Sequence, residues 1–189
     1  MWAYRNVNCK RENLMKKKNI NLEFKDITAI EPKLAMEVLS IRNEPGVRNN
    51  MYTDHIIQPD EHMGWIERLK SSKDTVFFAV VHEDKIVGGV SLSGINRQHK
   101  RADWAFYLSE DCHGKGIGSA LERQFIDMAF ERYDIEKLNC EVIAFNQKVV
   151  DMHQRFGFKL EGLRRDHCIR DGQKYDAVLL GITKDEWRG

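Results

Sequence analysis

The stretch Cys112-His113-Gly114-Lys115-Gly116-Ile117-Gly118-Ser119 joins two segments of different character. Residues 102–108 form an aromatic-rich run typical of a strand, and residues 120–133 have the apolar spacing of an amphipathic helix. Three glycines at alternate positions let backbone N–H groups approach one point without an intervening Cβ, and the helix N-terminus adds partial positive charge there. The stretch therefore predicts a loop that binds a phosphate or pyrophosphate.

Two standard phosphate-binding loops do not fit this stretch. A P-loop requires G-x-x-x-x-G-K-[ST], whereas Gly118 is followed by Ser119 and Ala120. A dinucleotide fingerprint requires G-x-G-x-x-G in an early β-α-β unit, but these glycines are more closely spaced and lie past the middle of the chain. Taken alone, the stretch also fits a flexible surface turn, so the rest of the chain has to decide.

Composition limits the class of protein. A chain of 189 residues is long enough for one domain with a hydrophobic core, and a formal net charge of +1 gives no general reason to expect nucleic acid or membrane partners. No apolar run approaches the roughly 20 residues that span a bilayer. The cysteines and histidines lack metal-ligand spacing, so we expect no metal, reduced thiols and a cytoplasmic location.

The first 19 residues differ from the remainder because they carry several basic side chains without any periodic pattern. We expect residues 1–19 to be a disordered basic extension, within which residues 1–14 precede an ordinary-looking start at Met15, and residues 20–186 to form the domain. A basic arm that binds nucleic acid is the alternative.

Periodicity and turn signals predict the order β-α-α-β-β-β-α-β-α-β-β, a mixed α/β domain with a single central sheet. Helices are expected over 31–41, 60–71, 120–133 and 146–156. Strands are expected near 22–27 and over 75–81, 85–94, 102–108, 137–145, 158–170 and 174–183, with a hairpin at Asp171-Gly172. On the second helix, Met63, Ile66 and Leu69 are expected to face inward.

The loop and this element order resemble the GNAT N-acetyltransferase family. The acyl-CoA motif of that family, Gln/Arg-x-x-Gly-x-Gly/Ala, reads here as residues 113–118 with His113 at the lead position. The second motif, Asn-x-x-Ala-x-x-Leu/Phe-Tyr-x-x-x-Gly-Phe, reads as residues 146–158 and places His153 where the family has tyrosine. The resemblance covers about residues 22–183 and implies the GNAT acyl-CoA N-acyltransferase fold, with acetyl-CoA as co-substrate.

The N-terminal half resembles a narrower group, the sugar-nucleotide N-acetyltransferases of the pseudaminic acid pathway. The matching segments are Ile41-Arg42-Asn43-Glu44-Pro45, Val47-Arg48, Met51-Tyr52-Thr53, Glu61-His62 and Trp65-Ile66. This resemblance implies acetylation of the 4-amino group of UDP-4-amino-4,6-dideoxy-N-acetyl-β-L-altrosamine, on the way to a sugar that decorates flagellin. Neither spacing nor composition identifies that sugar.

The family resemblance also implies where acetyl-CoA binds. The residues expected to hold its pyrophosphate are His113, Gly114, Lys115, Gly116, Ile117, Gly118 and Ser119. A backbone N–H in the strand that ends Phe106-Tyr107-Leu108 is expected to polarise the thioester carbonyl, and such donors are typically worth ~3 kcal/mol each. Pantetheine would lie between this strand and residues 138–145, with Asn146 bonded to the cofactor arm.

Proton transfer needs an acid for the thiolate and a base for the amine. His153 is the expected acid, because imidazole can donate a proton near neutral pH; the alternative is that it only packs over the thioester. Asp103 and Glu141 are the expected bases, with His62 as a further candidate. Strand alternation decides which face each carboxylate occupies, and a sheet-surface carboxylate paired with Arg or Lys is the alternative for both.

The expected acceptor contacts fall into three sets. Those for the diphosphate are Arg42, Arg48 and His62, since arginine binds phosphate in a bidentate manner. The residues expected to form apolar and stacking walls around the sugar and the uracil base are Met51, Tyr52, Trp65 and Tyr107. Packing in the core is the alternative for the aromatic residues. Ser91 is expected to form a hydrogen bond with a sugar hydroxyl.

Other acceptors and roles stay open at this point. One alternative is another amine, such as a polyamine or a protein or aminoacyl N-terminus, although polyamine enzymes should be acidic around the acceptor. A second is a non-catalytic acyl-CoA-binding regulator. The run 164–167 is expected to be a solvated face or dimer edge, and the C-terminal strands offer an edge for a homodimer.

Overall fold

A computed structural model of the chain describes residues 20–189, so the predictions for residues 1–19 lie outside the described residues. One seven-stranded sheet forms the centre, in the order β1-β2-β3-β4-β5-β7-β6. The strands are β1 Glu23–Asp26, β2 Val76–His82, β3 Lys85–Asn96, β4 Arg101–Leu108, β5 Lys137–Ile143, β6 Lys159–Arg170 and β7 Gln173–Thr183.

The helices within the described residues are α1 Pro32–Arg42, α2 Pro45–Arg48, α3 Pro59–Leu69, α4 Ile117–Arg132 and α5 Gln147–Arg155, with a 3-10 turn at Glu110–Cys112. The mixed single-sheet α/β fold and the predicted element order are confirmed, and α2 and the 3-10 turn are additions to it. None of the helices in residues 20–189 has the length and apolar character needed to cross a bilayer.

Strands β4 and β5 are parallel but pair over only three residues each. Their pairing ends where Asp103 meets Asn139. Beyond that point β4 continues to Leu108 along β3, and β5 continues to Ile143 along β7. The sheet therefore opens into a gap between residues 104–108 and 140–143, which we call the wedge.

Helices cover both faces of the sheet. Helices α4 and α5 pack on one face over a core that includes Trp104, Phe125 and Leu138. Helices α1 and α3 cover the opposite face of the N-terminal strands through a smaller cluster that includes Val38 and Ala79. Alternation along β4 sends Phe106 to the α4/α5 core and Tyr107 to the α1/α3 cluster.

The inward stripe of α3 differs from the predicted one. Met63 is 38% exposed, whereas His62 and Ile66 are buried and Leu69 packs against the same cluster. These three lie at positions i, i+4 and i+7, which share one face of a helix. The prediction for Met63 was wrong because it assumed that the buried face of α3 is entirely apolar, whereas the polar residue His62 lies on that face.

Candidate active site

The glycine stretch forms a turn that leads directly into α4. Gly116 is the N-cap residue of α4 with φ +82°, and Gly114 has φ +72°. A Cβ built at Gly114 meets nothing within 4 Å, so the space beside it is open. The first N–H groups of a helix have no intrahelical acceptor and point at this space. The local geometry therefore suits the pyrophosphate of CoA.

Side chains of this loop differ in what they can contribute. Ile117 is buried in the core, so only its backbone is available to a ligand. His113, Lys115 and Ser119 are exposed, and Gly118 lies against Met152 of α5. The loop therefore offers a backbone cradle with Lys115 as an exposed cation beside it.

The wedge offers unpaired backbone groups from both strands. In β4, Phe106, Tyr107 and Leu108 bond to β3 on one side only, and in β5 the residues after Asn139 bond only to β7. Alternate N–H and C=O groups on the open sides are free to pair with an extended ligand. Asn146 is the N-cap residue of α5 and its side chain makes no cap hydrogen bond, so its amide is available at the end of β5.

His153 lies on the α4/α5 side of the sheet and pairs with a carboxylate. Its Nδ1 lies 2.8 Å from Oε1 of Glu122, and both residues are buried. The ring packs against Trp104 and Phe106 of β4 and against Phe158. Since Nδ1 is held by Glu122, Nε2 is the ring atom left to exchange a proton with a ligand.

Asp103 and Glu141 lie on the same face of the sheet, opposite α4 and α5. Both line a cavity of about 440 Å³ together with Asn139 and Arg164. Asp103 accepts a hydrogen bond of 3.1 Å from the amide of Asn139, its partner in the last β4–β5 pair. Glu141 is two residues further along β5, beside the wedge. The structure thus fixes the strand phase that the sequence left open.

Glu141 is the centre of a cluster that the sequence did not predict. The hydroxyl of Tyr52 and the guanidinium of Arg164 both donate to its carboxylate. Nε2 of His167 lies 3.2 Å from Oε1, and Tyr52 contacts the His167 ring edge-on at 5.8 Å between centroids. Burial, followed by the Glu141 hydrogen bond, raises the pKa of Tyr52.

An irregularity in β6 brings His167 and Arg164 to the same carboxylate. Arg164 pairs with Ala177 and Cys168 with Tyr175, so three residues of β6 face one residue of β7. Within this bulge Asp166 has φ +51° and its N–H donates to the side chain of Asp176 at 2.8 Å. Bulges re-aim side chains. Residues 164–167 are exposed, as expected for a solvated face, and two of them, Arg164 and His167, also contact Glu141.

A second cavity, of about 280 Å³, lies under α1 and α3. Its walls include Trp65, Phe77 and Tyr107, and Arg42 and Arg68 also line it. Nη1 of Arg42 is buried and has no hydrogen-bond partner among the described residues. Burial lowers the pKa of Arg42 and raises that of Tyr107. A guanidinium whose buried Nη1 has no protein partner can bind an anion.

The other two predicted diphosphate contacts, Arg48 and His62, already donate hydrogen bonds to backbone carbonyls of the protein. Arg48 donates to the carbonyls of Asn43 at 3.0 Å and Asp54 at 2.5 Å. His62 is 4% exposed and its Nε2 donates to the carbonyl of Ala35 at 3.0 Å. Both side chains stabilise the α1–α3 region, and both are therefore weaker candidates for phosphate than Arg42.

The remaining predicted acceptor residues are spread over the α1/α3 side. Trp65 packs between His62 and Phe77, which agrees with the alternative that it is core. The carbonyl of Met51 accepts a hydrogen bond from Arg170, which ties the loop after α2 to the end of β6. The hydroxyl of Ser91 of β3 donates to the carbonyl of Ala105 of β4 at 3.4 Å.

Within residues 20–189, the structure has no group of three or more His, Cys, Asp or Glu side chains that could hold a metal ion.

Comparison with known proteins agrees with this geometry. Residues 27–179 match the family described as "Acetyltransferase (GNAT) domain". The SPbeta prophage-derived uncharacterized N-acetyltransferase YokL of Bacillus subtilis (strain 168) is 26% identical over 164 residues, covering 85% of this chain and 90% of that protein. Acetyltransferase PseH of Campylobacter jejuni (serotype O:2) is 26% identical over 154 residues, covering 77% of this chain and 93% of that protein.

Solved structures share the fold. The spermidine N-acetyltransferase of Vibrio cholerae, in complex with CoA and spermine, superposes with a TM-score of 0.80 at 19% identity and covers 90% of this chain and 98% of its own. At that identity the likeness concerns the fold alone. The family match spans most of the chain and agrees with the wedge and the glycine loop. The chain therefore belongs to the GNAT acetyltransferase family and is an acetyl-CoA-dependent acyltransferase.

Proposed function

We propose that the acceptor is the 4-amino group of UDP-4-amino-4,6-dideoxy-N-acetyl-β-L-altrosamine, so that the enzyme serves pseudaminic acid biosynthesis and flagellin glycosylation. The single observation that carries this proposal is the Arg42 cavity, in which a buried guanidinium N–H without a partner meets aromatic walls. A nucleoside diphosphate carries both an anion and a stacking base. The similarity to Acetyltransferase PseH over 77% of the chain agrees with the resemblance of the N-terminal half to the enzymes of the pseudaminic acid pathway.

In this proposal acetyl-CoA supplies the acetyl group from the wedge. The loop N–H groups and the N-terminus of α4 hold the pyrophosphate, and the amide of Asn146 bonds the cofactor arm. A free N–H of β4 near residues 106–108 polarises the carbonyl and stabilises the oxyanion by about 3 kcal/mol. Acetyl-CoA and the amine are thus held together for direct attack in a ternary complex.

The transfer needs a proton moved at each end. The acceptor ammonium first loses a proton on the Glu141 side of the wedge, where the carboxylates line the 440 Å³ cavity. The amine nitrogen then forms a bond to the thioester carbon, the carbon–sulfur bond breaks, and the nitrogen loses its second proton to water as the amide forms. His153 Nε2 donates a proton to the departing thiolate, since its Nδ1 is held by Glu122.

A polyamine acceptor is the second candidate because the V. cholerae enzyme of similar fold is described as a spermidine N-acetyltransferase. Polyamine binding requires carboxylates that are free to pair with ammonium groups. In this cavity Glu141 pairs with Arg164 and His167, and Glu161 pairs with Lys137 at 2.6 Å. Two of the three carboxylates of this cavity are thus neutralised, and only Asp103, bonded to the amide of Asn139, is not, which favours an acceptor other than a polycation.

We also propose that the enzyme works in the cytoplasm, where acetyl-CoA is available, and that β6 is its homodimer edge. Strand β6 ends the sheet, and three of its apolar side chains are more than half exposed: Leu160, Leu163 and Ile169. An edge strand with exposed apolar residues is a site for pairing. Light scattering of the purified chain tests this, and a monomer at all concentrations rejects it.

The acceptor proposal is tested by free-thiol release. The protein is incubated with acetyl-CoA and, in separate reactions, the UDP-4-amino sugar, spermidine and a peptide with a free N-terminus. We expect release with the sugar to exceed release with either other amine. Thiol release that occurs with spermidine or the peptide but not with the sugar rejects the sugar as the acceptor. Release with none of the three supports a protein that binds acetyl-CoA without catalysing transfer.

A further inference from the structure

We infer that His167 is the general base that deprotonates the acceptor amine, and that Glu141 orients it. The inference rests on acetyl transfer to an amine at this site and does not depend on which amine is used. It departs from the sequence-based prediction, in which Glu141 or Asp103 removes the proton.

The contacts of Glu141 argue against its acting alone as the base. Tyr52 and Arg164 both donate to this carboxylate and Nε2 of His167 lies 3.2 Å from it, so both of its oxygens are already in contact with protein side chains. Asp103 is likewise bonded to Asn139.

The contact with Glu141 distinguishes the two ring nitrogens of His167. Nε2 lies 3.2 Å from Oε1, so the neutral tautomer that suits the carboxylate carries its proton on Nε2 and a lone pair on Nδ1. Nδ1 is therefore the atom that accepts the amine proton, while the Glu141 carboxylate stabilises the imidazolium that results. A carboxylate that orients a histidine base is a recurrent arrangement in acyl transfer.

The position of His167 suits this role. Glu141 is two residues past the last β4–β5 pair, at the beginning of the wedge. The side chain of His167 is 35% exposed, so a ligand can reach it, and the β6 bulge turns it toward β5. The charged and titratable groups around the ring are Glu141 from β5, Arg164 from β6 and Tyr52 from the loop after α2.

The proton and electron balance of the step is simple. The acceptor R–NH3⁺ transfers one proton to Nδ1 of His167, which leaves R–NH2 with a lone pair. That lone pair forms the new C–N bond, the C–S bond breaks, and the thiolate takes the proton of His153, which water then replaces. The new amide nitrogen releases its second proton to water. The imidazolium of His167 then returns its proton to water.

The test compares His167→Ala with Arg165→Ala, a matched control at an exposed arginine in the same bulge. General-base catalysis contributes about 100-fold or more, so we expect kcat of His167→Ala to fall by about that factor while KM for acetyl-CoA is unchanged. Added imidazole should restore much of the lost rate in His167→Ala and should not affect Arg165→Ala.

Two results overturn the inference. One is a kcat of His167→Ala within about threefold of wild type, because a base contributes far more than that. The other is a loss that imidazole does not restore. Rates are measured with whichever of the three amines in the thiol-release assay the wild-type enzyme accepts, so failure of the sugar rejects only the acceptor proposal.

Discussion

Nδ1 of His153 lies 2.8 Å from Oε1 of Glu122, and this buried contact joins α5 to α4. Glu122 is one helical turn past Gly118, which itself lies against Met152. The helix that begins at the glycine loop is therefore connected directly to the residue expected to act on the thiolate. Loss of either side chain should affect both stability and chemistry.

The first prediction separates these two effects at His153. His153→Ala leaves a buried carboxylate without its partner, and breaking a buried pair in this way costs about 3–5 kcal/mol in the free energy of unfolding. His153→Gln keeps an N–H donor for Glu122 and should cost less. Denaturant unfolding measures both, and equal stabilities for the two variants would contradict the pairing.

The same His153→Gln variant tests the acid. Glutamine cannot donate a proton to a thiolate, so kcat should fall by about 100-fold although the protein stays folded. If kcat of His153→Gln equals that of wild type at every pH between about 6 and 9, His153 only packs over the thioester.

The second prediction concerns the pyrophosphate cradle. Gly114→Ala adds a methyl group beside the loop N–H groups, so KM for acetyl-CoA should rise by about tenfold, equivalent to roughly 1.4 kcal/mol. Gly172→Ala is the matched control, because Gly172 has φ +75° against +72° for Gly114 and each has open space around it.

Both alanine variants impose the same backbone strain of about 1–2 kcal/mol. A rise in KM that is equal in the two variants would attribute the effect to strain and not to the cradle.

The third prediction concerns Arg42. Arg42→Gln removes the buried cation of the second cavity, so KM for the UDP sugar should rise by about tenfold or more, as expected for a lost charge-assisted hydrogen bond. UDP alone should also raise the melting temperature of wild type more than that of Arg42→Gln. Arg101→Gln, which alters the other cavity, is the control, and equal UDP shifts in all three proteins would contradict the assignment.

The fourth prediction is a pH dependence of stability from His62. Burial lowers the pKa of His62 below its usual value of 6.5, and the hydrogen bond to Ala35 opposes this only in part. The unfolded chain therefore binds a proton at higher pH than the folded chain does. Stability from this group is fully present above about pH 6.5 and is lost as pH falls through the lowered pKa.

Unfolding free energies measured at several pH values check this. The decline below about pH 6.5 should be shallower in His62→Gln, whereas His99→Gln, at an exposed histidine, should follow wild type. An equal decline in wild type and His62→Gln would show that other groups cause it.

Apolar periodicity and turn residues predicted the parts of the fold that depend only on residues close together in the sequence. The strand, glycine turn and helix around residues 112–119 were recognisable because their periodicity changes abruptly there. Asp171 and Gly172 were recognised as a hairpin because both must adopt positive φ, and they do, at 49° and 75°. The order of elements then followed from turn signals and strand lengths.

The candidate active site depends on contacts between residues far apart in the sequence, which apolar periodicity does not predict. Arg164 and His167 are three residues apart in β6, so a regular strand would place them on opposite faces, and the irregular segment between Arg164 and Cys168 lets both contact Glu141. Glu122 was missed because a glutamate within a helix is ordinarily solvent-exposed. One signal was present, since Glu122 lies four residues after Gly118 and four before the buried Ile126.

The most direct test of the account is to identify the product formed from acetyl-CoA labelled in the acetyl group. The enzyme is incubated with the labelled thioester and the UDP-4-amino sugar, and NMR locates the label. We predict an amide at the 4-nitrogen of the sugar with one free thiol released per amide. Thiol release without formation of an amide on the sugar, or label found on another amine while the sugar stays unmodified, would contradict it.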